Sequence, residues 1–230
     1  IHLLLQKSDV PVAERKRIVQ KWYVLSALTG RYSTSPESAF ARDLRQISER
    51  GVPTMLKAME DAILSENFWT VALPQNLNST STTNPTYLVY LAAQVYFSDI
   101  SLLSSNITVR ELISLGGDVH HIFPKKYLIK NNYSKNFYNQ EANYAYHDRP
   151  VNESIGMRAP KDYFSLALKQ CETKQAECGS IIDADFLKVN LTANCIPENI
   201  CDLDSDLYPE FLEQRRLLMA QKIRSYYESL

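Results

Sequence analysis

The 230-residue chain contains no run of 18 or more apolar residues, so its sequence predicts no transmembrane helix. Its apolar start, IHLLLQKSDV, lacks the basic segment and the cleavage pattern of a secretory signal peptide. An initiator methionine is also missing, and we therefore expect the chain to be a fragment of a longer protein. These absences argue against a membrane protein or a secreted precursor.

Cysteine is scarce, and no two cysteines have Cys-x-x-Cys spacing. The spacing gives little support for a structural zinc site, and the number is too low for a disulfide-rich scaffold. Reduced thiols in an intracellular protein are the favoured interpretation. The cysteines are Cys171, Cys178, Cys195 and Cys201.

Neither sign of charge is in clear excess, because the formal net charge is −1 at pH 7. This argues against a protein that coats nucleic acid through bulk charge. Residues 119–140 differ, because they contain four lysines interleaved with aromatic residues and no Asp or Glu. Lysine and aromatic side chains suit a phosphate backbone with exposed bases. An ordinary solvated loop explains the same window, so both interpretations stay open.

Helical signals dominate most of the chain. Thr108 and Glu111 form a capping box for a short helix, and the Arg215-Arg216 pair on the last helix is assigned to a solvated face. The other predicted helices cover residues 12–29, ending before Gly30, and 36–50, between Ser35 and Gly51. Pro53 opens a further helix, and Asn84 with Pro85 opens an apolar one that is expected to be buried. Two more are predicted after Pro160 and over 209–230.

Two short segments break the helical pattern. DVHHIFP is typical of a strand closed by Pro124, and ANYAYHDRPVN predicts a second strand from Asn143 to His147, followed by a turn of helix. His147 is interpreted as structural. The expected fold is mainly α with a small β-containing insert, α+β overall. The expected regions are helical 1–115, the insert 116–160, and helical 161–230 packing on the first as one compact unit.

Two adjacent histidines, His120 and His121, lie in this insert within GGDVHHIFPKKYL. A His-His pair alone carries little weight, but Asn143 and Asn152 follow with a spacing of nine residues. Consecutive strand residues face opposite sides, so the two histidines cannot both point at one metal ion. An imidazole can accept a proton from water near neutral pH.

These residues resemble the motif of HNH nucleases (His-Me finger, ββα-metal), whose first half often has the pattern Asp-x-Asp-His-Ile-x-Pro. CRISPR-associated members carry Asp where this chain has His120, and colicin-type members carry His-His. The resemblance implies that His121 is the general base, that His120 and Asn152 are metal ligands, and that Asn143 tethers the loop carrying the base. The 22-residue separation between His121 and Asn143 is longer than in compact members, which implies an insertion.

The resemblance extends to the C-terminal domain of GmrSD/SspE-type modification-dependent restriction enzymes, through residues 21–44, 155–164 and 208–227. In those enzymes a nucleotide-hydrolysing sensor domain with an Asp-Gly-Gln-Gln-Arg motif comes first. That motif is missing here, so such a domain is expected outside this chain. The implied function is a metal-dependent DNA endonuclease, a hydrolase of phage restriction in the bacterial or archaeal cytoplasm without a membrane partner.

One divalent ion, Mg, Mn, Ni or Zn, is the expected cofactor. Asp118 lies two residues before His120 on the same strand face and would add a carboxylate ligand. Lys125, Lys126 and Arg158 are the candidate phosphate contacts. Two alternatives stay open: a catalytically inactive DNA-binding domain, and a nuclease toxin directed at RNA.

Overall fold

The computed structural model describes residues 1–6, 8, 10–117 and 119–230. Over these ranges the chain is mainly helical and contains a small two-stranded sheet. This confirms the predicted fold class at the level of a mainly helical, α+β chain. No helix within the described ranges is both long and apolar enough to cross a lipid bilayer.

The elements before the sheet include the helices predicted from the sequence and add three short ones that were not predicted, the last of which runs into residues 74–76 of a segment expected to be an exposed loop over 74–85. The elements are α1 (His2–Gln6), α2 (Val12–Thr29), α3 (Pro36–Arg50), α4 (Val52–Ile63), a π-helical turn (Phe68–Ala72), α5 (Leu73–Asn76), α6 (Pro85–Tyr96) and α7 (Val109–Ser114).

The sheet consists of β1 (Val119–His121) and β2 (Tyr144–Tyr146). The long connection between the strands is itself structured, with α8 (Lys125–Lys130), α9 (Lys135–Tyr138) and a 3-10 turn (Glu141–Asn143). After β2 follow α10 (Arg149–Ile155), α11 (Pro160–Thr173), α12 (Ala184–Ala193), a 3-10 turn (Ile200–Asp202) and α13 (Tyr208–Ser229).

Local capping residues account for several helix boundaries. α2 ends at Gly30, whose φ of 58° is readily adopted only by glycine. The side chain of Asn84 accepts a hydrogen bond from the N–H of Thr86 at the start of α6. Thr108 and Glu111 form the predicted capping box at the start of α7. Such contacts satisfy N–H groups that the first turn of a helix leaves unbonded.

The core lies where α6 packs against α2 and α13. Tyr87, Tyr90 and Ala93 of α6 are buried in it. Leu88 and Tyr96 on the same helix are nearly half exposed, so α6 is buried on one broad face rather than all round, as its apolar sequence had suggested.

Arg215 corrects a further prediction, because it lies in the interior and not on a solvated face. Its side chain is fully buried. Nη1 donates to the carbonyl oxygens of Ala142 at 2.7 Å and Tyr144 at 2.8 Å, and Nη2 donates to that of Asn194 at 3.3 Å. These acceptors offset part of the cost of removing a guanidinium from water. Helix α13 therefore holds the chain on both sides of Asn143.

Candidate functional site

The two strands set the directions of the paired histidines. Within the antiparallel pair, His120 stands opposite Ala145 and His121 stands opposite Tyr144. The His120 ring contacts the ring of His147, with 5.6 Å between centroids, whereas the His121 ring contacts that of Tyr144 at 5.2 Å. The two histidines thus have different neighbours, as the alternation of side chains along a strand requires.

Helix α10 follows β2 directly and carries Asn152. The side chain of Asp148 accepts a hydrogen bond from the N–H of Val151 at 2.9 Å, which caps the helix. Pro150 in the first turn needs no N–H partner there. This local sequence starts the helix close to the strand end, and so brings Asn152 to the same part of the molecule as the histidines.

A cleft of about 410 Å³ opens between the end of β1, the start of α8 and α10. His120, His121 and Asn152 all line it. Lys125 and Lys126 line it as well, and both are exposed. The structure therefore gathers the proposed base, two proposed ligands and two proposed phosphate contacts. The other lining residues are Pro124, Glu153, Ile155, Gly156 and Met157.

Two further candidates, Arg158 and Asn143, are not part of this lining. Asp118 lies outside the described residues. Arg158 is exposed, and its Nη1 donates to the carbonyl oxygen of Ser154 in the last turn of α10 at 2.8 Å. Asn143 is fully buried, and its side chain forms hydrogen bonds with main-chain groups.

The main chain just after His121 is held by two buried side chains. Asn143 Oδ1 accepts from the N–H of Phe123 at 2.8 Å, and Asn143 Nδ2 donates to the carbonyl oxygens of Phe123 at 3.2 Å and Tyr138 at 3.1 Å. The hydroxyl of Tyr163 on α11 donates to the carbonyl oxygen of Ile122 at 2.8 Å. This is the geometry of a tether, because both residues that follow His121 are bound through their main chain.

His121 has a partner that the sequence did not predict. Its Nε2 lies 3.0 Å from Oδ1 of Asn139. Burial lowers the pKa of His121 below its usual 6.5; the bond to Asn139 opposes this change, and Lys125 and His120 add to it. The ring is therefore neutral at pH 7, as a general base must be. Asn139 belongs to the structured connection between the strands, and its sequence carries no sign of this contact.

His147 lies behind His120 and is almost fully buried. Burial, with a further contribution from His120, lowers its pKa to about 3, so the ring is neutral. Among the described residues, neither ring nitrogen has a partner with normal hydrogen-bond geometry, although the main chain of Leu102 lies close. His147 does not belong to the lining of the cleft.

The donor set at the cleft suits a weakly held metal ion. No three His, Cys, Asp or Glu side chains come together as a metal cluster in the part of the chain that the structure describes, which leaves out Asp118. His120 and Asn152 offer one imidazole and one amide group, both at the cleft surface. Two neutral protein ligands would leave several coordination positions for water and substrate.

Comparisons with protein-family models, with curated proteins and with solved structures give no match to this chain. The resemblance to HNH nucleases therefore depends on the residues of the motif and on the arrangement described above.

Proposed function

We propose that this chain is a metal-dependent endonuclease domain that hydrolyses phosphodiester bonds in DNA, with an HNH finger formed by β1, β2 and α10. One observation carries the proposal: the adjacent His120 and His121 and the sequence-distant Asn152 line one cleft together with Lys125 and Lys126. Such a cleft combines a base, metal-ligating groups and cations for phosphate, which phosphodiester hydrolysis requires.

His121 is the general base in this proposal. An amide oxygen accepts hydrogen bonds, so the contact with Asn139 places the ring proton on Nε2 and leaves Nδ1 bare. Nδ1 takes a proton from a water molecule whose oxygen attacks phosphorus. A new P–O bond forms, the bond from phosphorus to the leaving sugar oxygen breaks, and that oxygen takes a proton from solvent.

His120 and Asn152 are the proposed metal ligands, joined by Asp118 if its carboxylate reaches the ion. A bound divalent ion would supply Lewis-acid stabilisation of the charge that develops on the phosphate. Imidazole ligation favours Mn, Ni or Zn over Mg. Asn143 has a different task, since its buried amide keeps the His121 loop in place.

Lys125 and Lys126 are the proposed phosphate contacts. Both line the cleft, and Lys125 Nζ lies 5.5 Å from the centre of the Tyr138 ring, within cation–π range. Their charges attract the DNA backbone and carry no sequence preference. Arg158 contributes less to phosphate binding in this proposal, because its guanidinium already donates to the carbonyl oxygen of Ser154.

The resemblance to GmrSD/SspE-type enzymes extends the proposal to a biological setting. The chain would be the cleavage module of a phage-restriction system in a bacterial or archaeal cytoplasm. A nucleotide-hydrolysing sensor domain outside this chain would select the DNA, modified or not, that the module cuts.

Plasmid nicking tests this function directly. Duplex DNA, single-stranded DNA and RNA are incubated with the chain and with Mg²⁺, Mn²⁺, Ni²⁺ or Zn²⁺. We expect metal-dependent nicking of DNA that His121→Ala abolishes while the circular dichroism spectrum is kept. Asn136→Ala, an exposed position on α9, is the matched control and is expected to cut normally.

Three outcomes would contradict the proposal. DNA binding without cleavage in every metal would identify a catalytically inactive DNA-binding domain. Cleavage of RNA in preference to DNA would identify an RNA-directed nuclease. Cleavage by His121→Ala at the level of the unmodified chain would rule out His121 as the base.

A further inference from the structure

A buried imidazole stands directly behind the proposed metal ligand. His147 is 3% exposed, and its ring lies edge-on to that of His120, with 5.6 Å between the centroids. That separation leaves room for one hydrogen bond of ordinary length, about 3 Å, between facing ring nitrogens.

The β2 register explains why the two rings meet. Ala145 lies opposite His120 in the sheet, and His147 follows two residues later, directly after the end of β2. Residues two apart along extended backbone point to the same side. His147 is thus the diagonal cross-strand neighbour of His120, within reach of a long side chain.

Burial of His147 carries a cost that the nearby main chain of Leu102 offsets only in part. Within the described ranges, neither nitrogen of its ring has a partner with normal geometry. A buried polar atom without a partner costs about 1–3 kcal/mol. A neutral imidazole contains one N–H and one bare nitrogen, so the ring can accept one hydrogen bond and donate another.

A histidine that binds metal through one ring nitrogen carries a proton on the other. That N–H is almost always given to an acceptor, which fixes the tautomer and the orientation of the ring. We propose that His147 is this acceptor, a positioning residue that holds His120 in the tautomer that presents its other nitrogen to the cleft. This inference rests on the metal site of the proposed function. His147 itself stays out of the coordination sphere, since the cleft is lined by His120 and not by His147.

Metal affinity is the first test, measured by calorimetry with Mn²⁺ and Ni²⁺ on the unmodified chain, His147→Phe, His147→Gln and His120→Ala. His147→Phe keeps a ring of similar shape without nitrogen, and we expect the Kd to rise about 10-fold to 100-fold. His147→Gln offers an amide oxygen as acceptor and should recover part of the affinity. His120→Ala should lose more affinity than either variant.

Two results would overturn the proposed role of His147 in positioning His120. An unchanged Kd in folded His147→Phe would make His147 a packing residue only. A loss in both His147 variants as large as that in His120→Ala would make His147 a direct ligand. Thermal unfolding of each variant checks the fold, and His147→Gln decides the matter if His147→Phe does not fold.

Ring tautomers give a second readout that needs no activity. Long-range ¹H–¹⁵N spectra of the Zn²⁺-loaded and metal-free chain should show a single tautomer of His120, which becomes a mixture in His147→Phe. The same tautomer in both proteins would contradict the proposal. If the unmodified chain binds none of these metals, the proposed metal site fails, while the metal-free spectra still decide whether His147 orients His120.

Discussion

The side chain of Asn143 binds both polar main-chain groups of Phe123. Oδ1 accepts from the N–H at 2.8 Å, and Nδ2 donates to the carbonyl oxygen at 3.2 Å. Phe123 lies two residues after His121, so this pair fixes the end of the strand that carries the proposed base. Arg215 on α13 donates to the carbonyl oxygens of the residues on either side of Asn143, so α13 fixes the main chain that carries this amide.

Asn143→Ala should destabilise the chain and disturb the site together. It leaves the buried N–H of Phe123 without its acceptor, at a cost of about 1–3 kcal/mol. Urea unfolding measures this loss. Asn131→Ala is the control, because Asn131 is an exposed amide in the same connection that donates to the Tyr127 carbonyl. Equal unfolding midpoints for the two variants would contradict the tether.

Asn139 should tune the titration of His121. Its amide raises the pKa of His121 against the effect of burial, so Asn139→Leu should lower that pKa and Asn139→Asp should raise it. A base acts in its neutral form, and the nicking rate therefore rises as pH increases through this pKa. The acid limb of the rate profile should move to lower pH in Asn139→Leu and to higher pH in Asn139→Asp. NMR titration of His121 is the direct measurement, and identical curves for all three proteins would refute the contact.

The two cleft lysines should account for part of the salt dependence of DNA binding. Each phosphate contact contributes about 0.9 to the slope of log K against log salt concentration. Lys125→Ala combined with Lys126→Ala should reduce the slope by about 1–2 and weaken binding to all sequences alike. Fluorescence anisotropy over a salt series measures it. The control replaces Lys130 and Lys135, exposed lysines of the same connection outside the cleft lining, and a slope reduced equally there would show that the effect is not local.

Glu141 should make stability depend on pH. The carboxyl is buried and accepts from Nδ2 of Asn84 at 3.0 Å, and burial raises its pKa from 4.5 to about 7. Because the pKa of Glu141 is higher in the folded than in the unfolded chain, the contribution of its neutral form to stability is full below about pH 4.5 and is lost as pH rises to about 7.

Glu141→Gln removes this dependence, because glutamine stays neutral. Its free energy of unfolding should match that of the unmodified chain near pH 4.5 and exceed it by up to about 3 kcal/mol at pH 8. Denaturant unfolding across this pH range is the measurement, with Glu213→Gln, an exposed position on α13, as control. A constant difference across the range would show that Glu141 does not titrate in this way.

Much of the fold was predictable because its signals are local. Proline in the first turn of α3, the left-handed Gly30 and the Thr108–Glu111 box act within four residues of the boundary that they set. The signals for the two short strands are local as well, and so is the Asp148 cap that starts the helix carrying Asn152. The structured connection at 122–143 was anticipated only as an insertion, since its short helices carry weak propensity signals.

The sequence by itself determined which side chains of the candidate site stand on β1 and α10, because strand alternation and helix caps depend on neighbouring residues. Only the tertiary structure decided what surrounds them. Arginine is usually exposed, and the carbonyl oxygens of Ala142, Tyr144 and Asn194, brought together by the fold, make the burial of Arg215 tolerable. The contacts of Asn139 with His121, and of His147 with His120, likewise join segments 18 or more residues apart, and no local pattern encodes such distances.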